Sequence, residues 1–572
     1  MRIKLSIIFG VVVGLWSNVF AQIDTTIRYS ESVIVIAGFD PVISDAFKIS
    51  DRPVLRDTSV ATPRFTYDVV PLKVPTQFQP LDISPARVTG EPLTKLYRNL
   101  IKAGFGNYTT PYLDVHLMNT RSSKYALGVN YRHLSSSGKI KEYAYAGYSD
   151  NDAALYGKYF FNKFTLTSGF DYKRKAVHFY GFKPEENPEY SFTKNDIKHV
   201  LNYYGANAVL TSNNVSPNAW QHRYGLKYHY FNNNYNHREI MGGFDGNLAK
   251  NMKLFKFSNN DKLNIDFSAD YLNNKMDTLA LLDNSLIKIS PSLTTKYKEY
   301  QVSLGFKSVV RNQTGTTSDF LFFPTIDARI VLVPRIISVF AGLDGDVNRY
   351  SFYELSDVNP YVNPFVNLTY EVEKTKVYGG IQSNFSKQLG MRIEINTSQI
   401  EGMLFFLNDT SNMLMNRFNT VEDDLTKVNV NADISFVSSE KLSFNFRTSY
   451  FQYSNKNELN PWHMPSMVYS LTSYYNMQDK IIVRVDGLVT TGRLARIKDM
   501  EGNMLNKSLK TSIDFNLGVE YRYTKLLSAF LNINNISANR NYYFYQYPSQ
   551  RINFILGVSY SFGGDLPTFK RK

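Results

Sequence analysis

The segment "NYRHLSSSGK" (130–139) holds His133-x-Ser135, with Asn130 three residues before the histidine. A serine becomes a nucleophile when an imidazole can take its proton and a third group orients that imidazole. On an extended strand, residues two apart share a face, so His133 and Ser135 can meet. Three consecutive serines are also ordinary turn chemistry. His222, His229 and His237 invite a metal reading, but the chain has no Cys and these three lack an H-x-x-x-H spacing. They read as decoration of two adjacent strands. "GEPLTKLY" and "GGFDGN" carry no phosphate-loop pattern, and Asp423-Asp424 reads as solvated loop charge. The expectation is no enzyme, no metal and no cofactor.

A second set of charges lies in stretches that alternate polar and apolar. Arg132, Arg223, Lys227, Arg447 and Arg484 sit on otherwise polar faces, and Asp514, Glu520 and Arg522 alternate near the end. Lining a pore, such charges select ions or solutes. The competing reading is a set of salt bridges that fills and stiffens the interior.

The elements that would position them are strands. "RINFILGVSYSF" (551–562) puts Ile552, Phe554, Leu556, Val558, Tyr560 and Phe562 on one face, with Ile555 the apolar intruder on the other. "TSIDFNLGVEYRYT" (511–524) sets Ile513, Phe515, Leu517, Val519, Tyr521 and Tyr523 against Asp514, Asn516, Glu520 and Arg522. Similar alternation marks 124–134, 163–173, 222–231, 262–272, 300–310, 377–386, 425–437, 441–453 and 480–489. Mean hydropathy is only −0.29, while aromatics reach 15% with 41 Tyr and 40 Phe. A transmembrane β-barrel has this profile, because lipid-facing and lumen-facing residues cancel in the average. The fold class expected is all-β: a transmembrane antiparallel barrel of about 22 strands (range 20–26) over 98–562, at roughly 20 residues per strand and connection. Connectors such as 161–163 read as turns. The segments 181–196, 211–220, 311–320 and 454–465 read as long outer loops.

Residues 1–21 read as a Sec-type signal peptide: Arg2 and Lys4, an apolar Leu5–Leu15, and Val19-Phe20-Ala21 before cleavage. The chain is thus expected in the outer membrane of a Gram-negative bacterium. The formal charge of +14 suits lipid headgroups or solubility. No basic stretch is dense enough for nucleic acid. Residues 22–97 hold eight of the 21 prolines and read as an irregular arm, periplasmic or lumenal. Residues 563–572 read as a short tail.

Within the arm, "ESVIVIA" (Glu31, Ser32, Val33, Ile34, Val35, Ile36, Ala37) resembles the TonB box of TonB-dependent receptors. The block 531–562 is similar to the last hairpin of those barrels. Its Val558, Tyr560 and Phe562 resemble the C-terminal signal read by the barrel-assembly machinery, although "GGDLPTFKRK" follows Phe562. The resemblance implies an outer-membrane, lipid-embedded receptor of 22 strands, engaging TonB or another periplasmic partner through its arm by strand addition. The family's plug is far longer than 38–97, so a missing or reduced plug is expected. The function expected is passage of a solute or polymer across the outer membrane. The alternatives are a structural subunit of a secretion or assembly complex and, more remotely, an enzyme resembling outer-membrane phospholipase, whose Ser–His–Asn set lies on the outer barrel wall.

Overall fold

The computed structural model describes residues 97–564, apart from short gaps at 120–121, 139, 214–215, 217, 277–278, 316, 440 and 500. The signal peptide, the TonB-box-like stretch Glu31–Ala37, the arm before Tyr97 and residues from 565 onward lie outside the described residues. The described residues all fall in one unit of the chain.

The wall is a closed meander of 22 antiparallel strands, the number expected. Each strand pairs with its sequence neighbour, and the first, Tyr97–Gly106, closes against the last, Asn553–Gly564. The closing register sets Asn99 against Phe562, Ile101 against Tyr560 and Ala103 against Val558. Closure leaves no unpaired strand edge, which hydrocarbon could not hydrate. Among the described residues, no helix is long and apolar enough to cross a membrane.

Alternation settles the faces. Phe554, Leu556, Val558 and Tyr560 are 46–60% exposed on the outer face of the last strand, whereas Ile555 is 7% exposed. Ile555 points inward beside Phe530, and Gly104 and Gly557 make room for that ring. A Cβ on Gly557 would lie 2.4 Å from the Phe530 ring. Burying such a phenyl group stabilises by about 2–3 kcal/mol, so these glycines trade backbone freedom for a filled lumen corner.

Connections alternate between two ends. At the turn end they are short, such as 161–163, 298–299 and 478–480, and both termini of the wall lie there. At the loop end seven are long, 137–147, 179–197, 350–369, 409–417, 456–466, 492–511 and 535–552, while others there, such as 107–109, 234–237 and 314–318, are short. Two expectations are corrected here. Strands Tyr300–Gln313 and Asp319–Val333 leave only the short connector 314–318 of the outer loop read over 311–320. Strands Lys198–Ser212 and Gln221–Asn233 leave only 213–220 of "TSNNVSPNAW" as a connector, and strand parity puts it at the turn end.

Candidate functional site

The loop end carries a folded cap. Ile140, Phe179, Phe182, Phe352, Val362, Leu414, Phe418 and Tyr547 are buried together, drawn from five different connections or the strands feeding them. A short helix, Phe352–Val358, anchors it. Its start is written locally: Ser351 caps it, accepting from the Glu354 N–H, and Ser-x-x-Glu is a capping-box spacing. Phe352 and Leu355 then fall on one buried face. Burial pushes the Glu354 carboxyl up, against the Ser351 hydrogen bonds.

The helix is pinned to the wall by Glu239, which is fully buried. One carboxylate oxygen accepts from the Phe352 N–H at 2.7 Å, and the other meets His229 Nε2 at 2.9 Å. Lys175 holds Asp357 at 3.0 Å. Further ties cross the mouth. Asn416 Nδ2 donates to the Phe179 carbonyl at 3.0 Å, and Tyr180 Oη donates to the Pro548 carbonyl at 2.9 Å. Phe179 follows the fifth strand and Asn416 precedes the sixteenth, half the circumference away. The Tyr361 and Tyr547 rings stack at 3.7 Å between them. Burial pushes the Tyr361 phenol up to about 12 and raises Tyr547 well above its ordinary value, so both stay protonated, and Tyr547 Oη donates to the Asn416 carbonyl. Against the cap lies a cavity of about 380 Å³, whose lining includes Asp150, Lys175, Tyr180, Tyr361, Asp514 and Tyr543. The sequence reading missed this cap. Ser351-x-x-Glu354 was the one local signal for its helix.

The inward charges are placed as follows. Arg132 pairs in register with Asp114 and Asp152 on its two neighbouring strands. Arg223 forms an ion pair with Asp245, Arg447 one with Asp433, and Lys227 one with Asp270 at 2.9 Å. Glu520 lies 3.6 Å from Arg522 and 3.8 Å from Lys102, across the closing seam. Arg484 lies 2.8 Å from Asp486, and Asp514 accepts from Tyr543 Oη at 3.2 Å. These are pairs distributed around the wall, not one ring.

The histidines divide. His222 stands at the turn end, tilted against Phe164 at 5.4 Å, while His229 and His237 support the helix at the loop end. Asp423, read as a solvated loop charge, is instead buried in the strand Phe418–Ser439, where it accepts from the Asn457 and Glu458 N–H groups. His133 Nε2 lies 3.1 Å from Ser135 Oγ, and its Nδ1 lies 2.8 Å from Asn151 Oδ1. Asn130 is not part of this set: it faces inward and meets His116 Nδ1 at 2.9 Å. Val558 and Tyr560 stand on the outer wall, and Tyr560 stacks on Phe562 at 5.7 Å.

No family model and no curated protein sequence matches the chain. Solved structures do. The ferripyoverdine receptor of the outer membrane of Pseudomonas aeruginosa superimposes with a TM-score of 0.61 at 13% identity, covering 82% of this chain and 72% of that one. The FrpB iron transporter from Neisseria meningitidis gives 0.61 at 9%, covering 82% of each chain. The ferric-catecholate import receptor Fiu from E. coli K12 gives 0.58 at 10%, again with 82% of each. At such identities the likeness is one of fold: the chain is a 22-stranded outer-membrane-type β-barrel resembling TonB-dependent receptors.

Proposed function

We propose that this barrel carries a solute or polymer across the outer membrane and that the loop cap is its gate on the cell's exterior. The observation that carries the reading is the tie between Phe179 and Asn416 from opposite sides of the wall. Long loops belong outside and short turns in the periplasm, so the arm ahead of Tyr97 enters from the periplasmic side. There Glu31–Ala37 is offered to TonB or another periplasmic partner, and the arm acts as a reduced plug. The paired charges Arg132, Arg223, Arg447, Asp514, Glu520 and Arg522 line the path, and Val558, Tyr560 and Phe562 serve recognition by the assembly machinery. Ferric siderophores are the first ligand class to try, since the fold neighbours are named for them.

The test is single-channel conductance in planar bilayers of three forms: the mature chain, a form lacking residues 24–97, and that deletion with Tyr361→Ala and Tyr547→Ala. The expected result is low conductance for the first two and large openings for the third. Conductance from the deletion alone makes the arm the sole gate. If none of the three conducts, the gate reading fails, and a stoichiometric partner should be sought by native co-purification.

A further inference from the structure

We propose a second, separate activity: Ser135, His133 and Asn151 form a hydrolytic site on the outer wall that cleaves carboxylic ester bonds of membrane lipids. The proposal starts from which face these residues occupy. On the third strand, Tyr125–Ser136, the outward side chains Tyr125, Leu127 and Val129 are 43–52% exposed. Tyr131, His133 and Ser135 continue that face. Asn151 stands directly opposite His133 on the next strand, and Ser149 opposite Ser135.

The hydrogen bonds fix the proton. Asn151 Oδ1 can only accept, so His133 Nδ1 carries the hydrogen and donates at 2.8 Å. Tyr131 Oη donates to the same oxygen at 3.3 Å, which sets the orientation of the amide. His133 Nε2 is therefore the unprotonated nitrogen, 3.1 Å from Ser135 Oγ and positioned to take its proton.

Depth names the substrate. Tyr125, Tyr159 and Phe161 form an aromatic edge at the turn end, with the last two rings 4.6 Å apart. Ser135 lies ten residues further along the strand. That is about 33 Å of strand and, at a tilt near 40°, about 25 Å of height, which matches the apolar band of such barrels. Around the wall at the loop end, Tyr131, Tyr172, Tyr204 and Tyr230 make a girdle, two of its ring pairs lying 5.0 and 6.1 Å apart. The next outward row reads His133, Asn151, Arg174, Asn202, Asn232. The site thus stands where hydrocarbon gives way to headgroups, which is the level of lipid acyl esters. Arg174, paired in register with Asn151, supplies positive charge for an anionic headgroup.

The chemistry balances with water as the only co-reactant. Ser135 Oγ adds to the ester carbonyl carbon while its proton passes to His133 Nε2. The tetrahedral adduct expels the alcohol oxygen, which takes that proton and leaves as the lyso-lipid. Water, deprotonated by His133, then attacks the acyl-serine and releases the fatty acid. Asn151 is a positioning residue, acting through the imidazole.

The experiment uses the full purified chain in detergent. It is treated with a fluorophosphonate probe, and separately mixed with phosphatidylethanolamine micelles or with lipid A micelles to measure fatty-acid release. Adduct on Ser135 and release from either lipid is expected, and the arm that responds identifies the source of the ester. Ser135→Ala should abolish both signals. His133→Ala should lower release at least about a hundredfold, and Asn151→Ala should lower kcat and shift its pH profile with little change in KM. Heat-modifiable gel migration checks that each variant forms the barrel, and conductance should be unchanged in Ser135→Ala, which keeps this test apart from the gate reading. A folded barrel with no adduct and no release from either lipid overturns the proposal. So does activity that survives Ser135→Ala; the row would then be interfacial polarity like the Asn202–Asn232 pair.

Discussion

Glu239 shows how much a single buried carboxylate can organise. It meets the helix at Phe352 N–H and the wall at His229, with no solvent on its side chain. Glu239→Ala leaves both partners unpaired in a dry site and should loosen the helix by about 3 kcal/mol. Glu239→Gln keeps an acceptor and should cost about 1 kcal/mol. Hydrogen exchange of residues 352–358 reads both; equal protection in wild type and Glu239→Ala would remove the anchor role. His463 gives a pH dependence. Its Nδ1–H donates to the Phe406 carbonyl at 2.9 Å and its Nε2 faces the Tyr545 N–H at 3.4 Å. A second proton would set N–H against N–H, and burial pulls the imidazole down to about 4, with Arg493 adding to the effect. An opened cap, with an ordinary imidazole near 6.5, therefore binds a proton that the closed cap refuses. Closure is fully stable above 6.5 and weakens as pH falls from 6.5 toward 4, by up to about 3 kcal/mol. Protease nicking of 456–466 should rise across that window and should lose its pH dependence in His463→Asn. None of these roles was legible in the sequence. A histidine's partner lies tens to hundreds of residues away, so spacing carries no trace of it. The His133–Ser135 contact was the exception, because its pairing is local; Asn130, the nearest amide in sequence, faces inward to His116, and Asn151 on the next strand meets His133 instead.

At the scale of elements, alternation was readable wherever one face meets lipid. Asn553–Gly564 and Ser512–Arg522 show it plainly. It failed in two physical situations. Tyr148–Phe160 sets Ser149 and Asn151 outward above the girdle, so its upper half is polar on both faces. Leu279–Tyr297 contains Pro291, a residue that usually argues against a central strand. The wall tolerates it because its ladder toward the next strand lapses at Ser290 and Pro291 and resumes at Ser292, while pairing with Ile265 on the other side persists. The cap helix is a third case, since seven residues are too few for a helical period to stand out. Lipid-facing positions make the sharper prediction. Leu226, 60% exposed near the middle of the strand Gln221–Asn233, should cost about 2–4 kcal/mol when changed to Arg. Urea unfolding from liposomes measures it, and an unchanged midpoint would place that face away from lipid.

For the whole molecule, the strand number and closure follow from the pattern, whereas the state of the mouth does not. Twenty-two strands enclose a lumen whose occupancy depends on loops, and loop packing is decided by contacts between residues such as Tyr180 and Pro548 that only the closed fold brings together. Removing residues 352–366 from the form that lacks residues 24–97 should therefore open the mouth without unseating the wall, seen as larger conductance with unchanged heat-modifiable migration; loss of the folded band would instead make the cap part of the barrel's core. The tie between Phe179 and Asn416 has a mechanical meaning as well. A thin cylinder deforms most easily by going oval, one diameter lengthening while the other shrinks. A strap fixed along one diameter suppresses that mode at the rim, so lifting the cap would also let the hoop breathe, and the pore's cross-section would begin to answer to the lateral pressure of the surrounding bilayer.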